Sequence, residues 1–109
     1  MQYYVSALNC STLTARNEMM AVKKRYGKED GIVVFHGYQS FAEGEVTPDM
    51  AHEIGVRLAE ELWGERFQVL IATHLDKANH IHNHFVLNSF SFLDGRRYKG
   101  FTHRAAVVQ

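Results

Sequence analysis

The chain has 109 residues, 46% apolar and 22% charged, the proportions of one folded domain and not of a disordered segment. Twelve lysines and arginines balance twelve aspartates and glutamates, which excludes a grip on nucleic acid by bulk charge alone but not a local basic surface. The single cysteine, Cys10, excludes an internal disulfide and a cysteine-based zinc site. With no apolar run of roughly 18 residues and no charged-then-apolar leader, neither a membrane segment nor a signal peptide is expected, and the cytoplasm is the expected location.

Residues 3–8 are aromatic and β-branched and read as a strand. After Asn9-Cys10, Ser11 or Thr12 is placed to cap a helix reaching about Tyr26, with Ala15, Met19, Val22 and Tyr26 on one face. Lys23, Lys24 and Arg25 suit its last turn, and Gly27 ends it. Residues 31–40 form a second expected strand. Thr47-Pro48 then opens a second helix, in which Met50, Ile54, Leu58 and Leu62 make a core-facing stripe and His52 falls on a solvated face. Gly64 closes it. Residues 67–73 and 80–91 read as strands around a turn at 76–79, and Asp94-Gly95 suggests a tight turn after them.

The order βαβαββ predicts an α+β two-layer sandwich: a central, mostly antiparallel sheet with both helices on one face. Residues 1–109 make one domain. It starts in a strand and stops without a closing element, so it is expected to be a fragment of a longer protein.

Histidine carries the functional signal. Four of the seven histidines, His74, His80, His82 and His84, lie within eleven residues. On a strand, His80, His82 and His84 share one face at steps of about 6–7 Å, and Asn88 lies further along it. Two histidines spaced i, i+2 can meet one metal ion, and His74 on the preceding strand is the natural third ligand. If those strands pair antiparallel, His74 comes beside His82 or His84. Three imidazoles leave coordination positions open for water or substrate. Asp76 is placed to orient an imidazole or to reach the metal.

The stretch THLDKANHIHNHFVLN resembles the metal motif of conjugative relaxases, the mobilisation nucleases of the HUH endonuclease superfamily. FHGYQSFAEGEVTP and YYVSALNCSTLTARNEM resemble further segments of the same family, so the likeness covers about residues 3 to 98. The resemblance implies site- and strand-specific nicking of single-stranded DNA at a plasmid or mobile-element transfer origin, in company with accessory mobilisation proteins. It implies a divalent cation on His74, His82 and His84, magnesium or manganese by family habit, although imidazoles also accept zinc or nickel. His80 becomes a substrate contact. The family's nucleophilic tyrosine lies upstream of the segment matched by residues 3–10, and neither Tyr3 nor Tyr4 fits it, so no catalytic residue is assigned.

Other residues add less. His36 on the second strand is placed to approach the metal or a phosphate. Arg96, Arg97 and Lys99, with Arg104 beyond, form a modest basic patch interleaved with Tyr98 and Phe101, suited to DNA. Tyr38 and Tyr98 read as packing or DNA-contact residues. Two alternatives stand beside the relaxase. One is a histidine-triad-type nucleotide hydrolase, in which His74, Asp76 and Asn88 would have no role. The other is a catalytically inactive metal- or DNA-binding module.

Overall fold

A computed structural model describes residues 4–27, 34–76 and 80–98. In chain order the elements are β1 (Tyr4–Leu8), α1 (Ala15–Arg25), β2 (Val34–Phe41), α2 (Pro48–Trp63), β3 (Val69–Leu75) and β4 (Ile81–Asn88). The strands form a four-stranded sheet in the order β1-β3-β4-β2, and all three pairings are antiparallel. This is the expected α+β architecture with the expected element order.

The core lies on one face of the sheet. Val69 and Ile71 of β3 and Phe85 and Leu87 of β4 point the same way, by the two-residue period, and pack against Ala59 and Trp63 of α2. Burying each such large side chain stabilises by about 1.5–3 kcal/mol. Trp63 meets Phe85 edge to face at 5.7 Å. Tyr98 closes the cluster against Phe35, Trp63 and Phe67, so of its two expected roles it fills the packing one.

Helix α2 starts where expected: the Thr47 side chain accepts from the Met50 N–H at 3.2 Å, and Pro48 follows it. The buried stripe differs. Ala51, Gly55, Ala59 and Trp63 face the sheet, whereas Met50 and Ile54 are 52% and 36% exposed. The shift is one residue, about 100° around the helix. Small side chains let the helix axis come close to the strands, and Leu58 and Leu62 then flank the contact half-buried.

Helix α1 begins at Ala15, later than a cap at Ser11 or Thr12 would put it. Thr14 occupies the cap position without a side-chain capping bond. Instead the Glu18 carboxylate reaches back, accepting from the Ser11 N–H at 2.9 Å and the Thr14 hydroxyl at 2.6 Å. This satisfies the exposed start of the helix from the other direction.

The helices do not share a face. Met19 of α1 offers its carbonyl to the Asn88 amide, and α1 borders a groove whose floor is Val34, Leu70 and Val86. These residues point away from α2, on the side that carries the histidines. Helix α1 therefore covers one end of that face and leaves the other end open.

The turn after β4 forms as expected. Gly95 donates to the Ser91 carbonyl, and Arg96 accepts from the Ser91 N–H, both at 2.9 Å. Gly95 has φ +73°, and a Cβ there would sit 2.5 Å from the Tyr26 ring. The Tyr26 hydroxyl lies 3.1 Å and 3.0 Å from the Phe92 and Leu93 carbonyls, tying α1 to this turn. Gly95→Ala is expected to destabilise by about 2 kcal/mol, from the left-handed backbone and the displaced ring together. Chemical denaturation checks this, and an unchanged midpoint would contradict it.

Candidate functional site

The histidines are brought together by strand register. His74 pairs with His82, and Ala72 with His84, across β3 and β4. On the other flank, β2 places Ser40 opposite His82 and Tyr38 opposite His84. His74, two residues on from Ala72, is thus the diagonal neighbour of His84 on the same face. The His74 and His84 rings accordingly stack at 4.4 Å with 13° between planes. Their Nε2 atoms are 3.2 Å apart. His82 is 5.8 Å from His74 and 6.4 Å from His84 between ring centroids.

His82 is held at both nitrogens. Its Nδ1 lies 3.0 Å from the Ser40 hydroxyl, and its Nε2 lies 2.8 Å from an Asp76 carboxylate oxygen. The other Asp76 oxygen accepts from the His80 N–H at 2.9 Å, and the Asp76 N–H donates to the His80 carbonyl. Asp76 therefore closes the β3–β4 turn while touching His82. The His80 side chain is exposed at the mouth of this turn.

The nitrogens of two imidazoles sharing one cation at about 2.0–2.1 Å lie roughly 3.0–3.4 Å apart. The 3.2 Å between His74 and His84 meets that distance, but with the rings stacked at 13° one of them must rotate before both in-plane lone pairs point at a single ion. His82 does not yet converge with them, because its Nε2 faces Asp76. Among the described residues no three His, Cys, Asp or Glu side chains form a ready-made cage. The donor chemistry would suit a divalent ion, and His82 could join His74 and His84 around one only if its Nε2 left Asp76.

Burial pushes the His84 imidazole below its ordinary value of 6.5, helped by the neighbouring His74, His82 and His36. Burial also lowers His52. Both groups are therefore favoured neutral in the folded state. Below pH 6.5 the unfolded chain takes up protons that the folded chain resists, so stability falls with falling pH. The metal-free domain is expected to melt at a lower temperature at pH of about 5.5 than at about 7.5, and His84→Gln to shrink that difference. A flat profile in chelator would contradict this.

The opposite face of the sheet supports the site. The Ser6 hydroxyl is 2.6 Å from His52 Nε2, and His52 Nδ1 is 2.8 Å from the Thr73 hydroxyl. Thr73 donates to the Asn83 side-chain oxygen. The Asn83 amide donates to Gln39 at 2.9 Å and to the Ala51 carbonyl at 2.8 Å. The directions close with His52 neutral, donating from Nδ1 to Thr73 and accepting from Ser6 at Nε2. His52 is thus part-buried in a network and not on a solvated helix face. Asn83, buried between His82 and His84 in sequence, links β4 to α2, β2 and β3.

Four further expected residues fall in different places. Asn88 shares the histidine face, as the two-residue period requires, but it is not at the site. Its amide bonds the Met19 carbonyl and Gln68, and it is fully buried beneath α1. His36 is exposed on β2, opposite Val86 and one row beyond Tyr38. Arg96 and Arg97 are exposed beside the turn after β4, at the far end of that strand from His82, with the Arg97 guanidinium 5.8 Å over Phe90. Lys99, Phe101 and Arg104 lie outside the described residues. Tyr38 and Ser40 form the rim. The Tyr38 ring, half-exposed, meets His84 edge-on at 4.8 Å. The alternation of Tyr38 and Ser40 is visible in the sequence, but only their pairing with β4 gives it meaning.

With this geometry in place, comparison with known proteins decides the family. The family model for the MobA/VirD2-like nuclease domain of relaxases matches residues 1–107. The chain belongs to this family. It is similar to the protein rlx of Staphylococcus aureus, 42% identical over 104 residues, which is 95% of this chain and 32% of that protein. A second rlx protein of the same species is 39% identical over 93 residues, 85% of this chain and 28% of the relative. The group II intron-interrupted relaxase LtrB of Lactococcus lactis is 36% identical over 72 residues, 65% of this chain and 13% of the relative. The chain thus spans about a third or less of the length of these curated relatives. No solved structure matches it. Among the described residues no helix is long and apolar enough to cross a membrane.

Proposed function

We propose that this relaxase domain holds a divalent cation on His74, His82 and His84 and presents the scissile phosphate of single-stranded DNA to it, at the transfer origin of a plasmid or other mobile element. The observation that carries the reading is the 3.2 Å between the Nε2 atoms of His74 and His84, with His82 in the adjacent row. A bound cation would neutralise the non-bridging phosphate oxygens, the main electrostatic demand of phosphoryl transfer. Magnesium or manganese is the proposed ion, and zinc or nickel suits the same imidazoles.

The chain's own residues do the positioning. His74 and His84 offer neutral nitrogens. Asp76 orients His82 and would offer a carboxylate oxygen beside a bound cation. Ser40 fixes the other His82 nitrogen, and Tyr38 walls the open side. No tyrosine of this chain matches the family's nucleophile, so none is assigned. Transfer of the nicked strand in the cytoplasm, with accessory mobilisation proteins, belongs to the same proposal.

Calorimetric titration with manganese tests it. One site is expected per chain, together with tighter, manganese-dependent binding of a single-stranded oligonucleotide. Manganese that binds without any effect on DNA would leave a metal-holding module. Hydrolysis of an adenosine phosphoramidate in chelator would instead favour histidine-triad chemistry.

A further inference from the structure

The zero net charge conceals a strong polarity. Helix α1 carries Arg16, Lys23, Lys24 and Arg25 against one acid, Glu18, which is engaged by Ser11 and Thr14. Helix α2 carries Asp49, Glu53, Glu60 and Glu61 against Arg57. The two helices lie on opposite faces of the sheet, so the histidine face is flanked by cations and the other by carboxylates.

Between α1 and the sheet runs a groove of about 610 Å³, within the size range of ligand sites. Leu70 and Val86, directly paired across β3 and β4, form its floor, and Met19 lines the α1 side. That pair lies one row beyond Ala72 and His84 on the same face, so the groove continues the track on which the histidines sit. Arg16, Lys23 and Lys24 line it, and among the described residues no acidic one does. Lys23 is only 6% exposed, and its ammonium makes no hydrogen bond or ion pair among the described residues. An apolar floor with a cationic wall suits stacked bases and their phosphates.

We infer that this groove seats a segment of single-stranded DNA flanking the phosphate at the histidines, with bases on Leu70 and Val86 and phosphates on Arg16, Lys23 and Lys24. The inference rests on the DNA reading above and goes beyond it in assigning the strand a path and its anchors. It also moves the main DNA contact from the turn at Arg96 and Arg97 to α1.

Fluorescence polarisation with a short labelled thymidine oligonucleotide, in chelator and at low salt, tests the groove without the metal. Lys23→Met keeps the buried stem, while Arg16→Gln and Lys24→Gln alter exposed positions. The triple variant is expected to bind at least tenfold more weakly. Its plot of log affinity against log salt should flatten by about 2, near 0.7 for each lost phosphate contact. Arg57→Gln, on the acidic helix, should match the wild type, as should manganese binding by the triple variant. The Arg16→Gln/Lys24→Gln pair retains the test if Lys23→Met fails to fold. Wild-type affinity and salt slope in folded variants would overturn the groove and leave the DNA reading standing. A wild-type chain that binds no oligonucleotide, with or without manganese, would overturn both. A DNA-free dimer that the substitutions dissociate would assign the groove to a second copy and overturn the inference.

Discussion

His84→Ala is expected to weaken divalent-cation binding by about 100-fold or more, since it removes one of the three proposed imidazole ligands, the one closest to His74. His82→Ala should act similarly. Asp76→Asn should cost nearer tenfold, because the carboxylate acts through the His82 ring. Thermal melting gives an independent readout. Cation at about one hundred times its Kd should stabilise the wild-type domain by about 2.7 kcal/mol, a rise in Tm on the order of 10–20 °C. In His84→Ala that rise should vanish. The metal-free Tm should move far less, because His84 is only partly buried on the open face and loses mainly its contacts with His74 and Tyr38. Undiminished binding in both His82→Ala and His84→Ala would refute the assignment of this centre.

The separation of metal-dependent from metal-free effects matters because the two faces of the sheet do different work. The open face holds donors at coordination distance and a cationic groove. The closed face holds an apolar core crossed by the Ser6–His52–Thr73–Asn83 network. A variant that lowers stability without touching the cation reports on the second face. One that removes the cation response while leaving the metal-free melt intact reports on the first.

The chemistry of the open face was legible in the sequence because it obeys local rules. Period two put His82 and His84 on one side, and the short break at 76–79 allowed β3 and β4 to pair antiparallel, the arrangement that brings His74 across. What local rules do not carry is the non-local pairing. β2 joins β4 across a helix and a strand, so Tyr38 and Ser40 could not be placed beside the histidines beforehand. Asn88 fell on the correct face, but nothing local shows that α1 covers that end of it. The α2 stripe was misplaced for a related reason. Met50 and Ile54 are strong apolar signals and Ala51 and Gly55 weak ones, yet close approach to a sheet selects small side chains. Net charge hid the polarity between the helices because it averages over both faces.

Gly55 is where that close approach can be tested. A Cβ built there lies 2.5 Å from the Asn83 amide nitrogen and 2.9 Å from its Cγ. Glycine-to-alanine inside a helix ordinarily stabilises by about 1 kcal/mol. Here the Asn83 side chain cannot swing aside freely, since it is fully buried and bonded to Thr73, Gln39 and the Ala51 carbonyl. Overpacking costs about 1–3 kcal/mol, and unmaking a buried hydrogen bond costs a further 1–3 kcal/mol or so. The penalty outweighs the propensity gain, so Gly55→Ala should destabilise by about 2–3 kcal/mol, a fall in Tm on the order of 10–20 °C. The sign should reverse once the obstacle is gone: in an Asn83→Ala background the same substitution should be neutral or stabilising. A stabilising Gly55→Ala in the otherwise native chain would show that Asn83 yields easily. If Asn83 holds as described, its displacement will also disturb His82 and His84 on either side of it, and Gly55→Ala will weaken cation binding from the far face of the sheet.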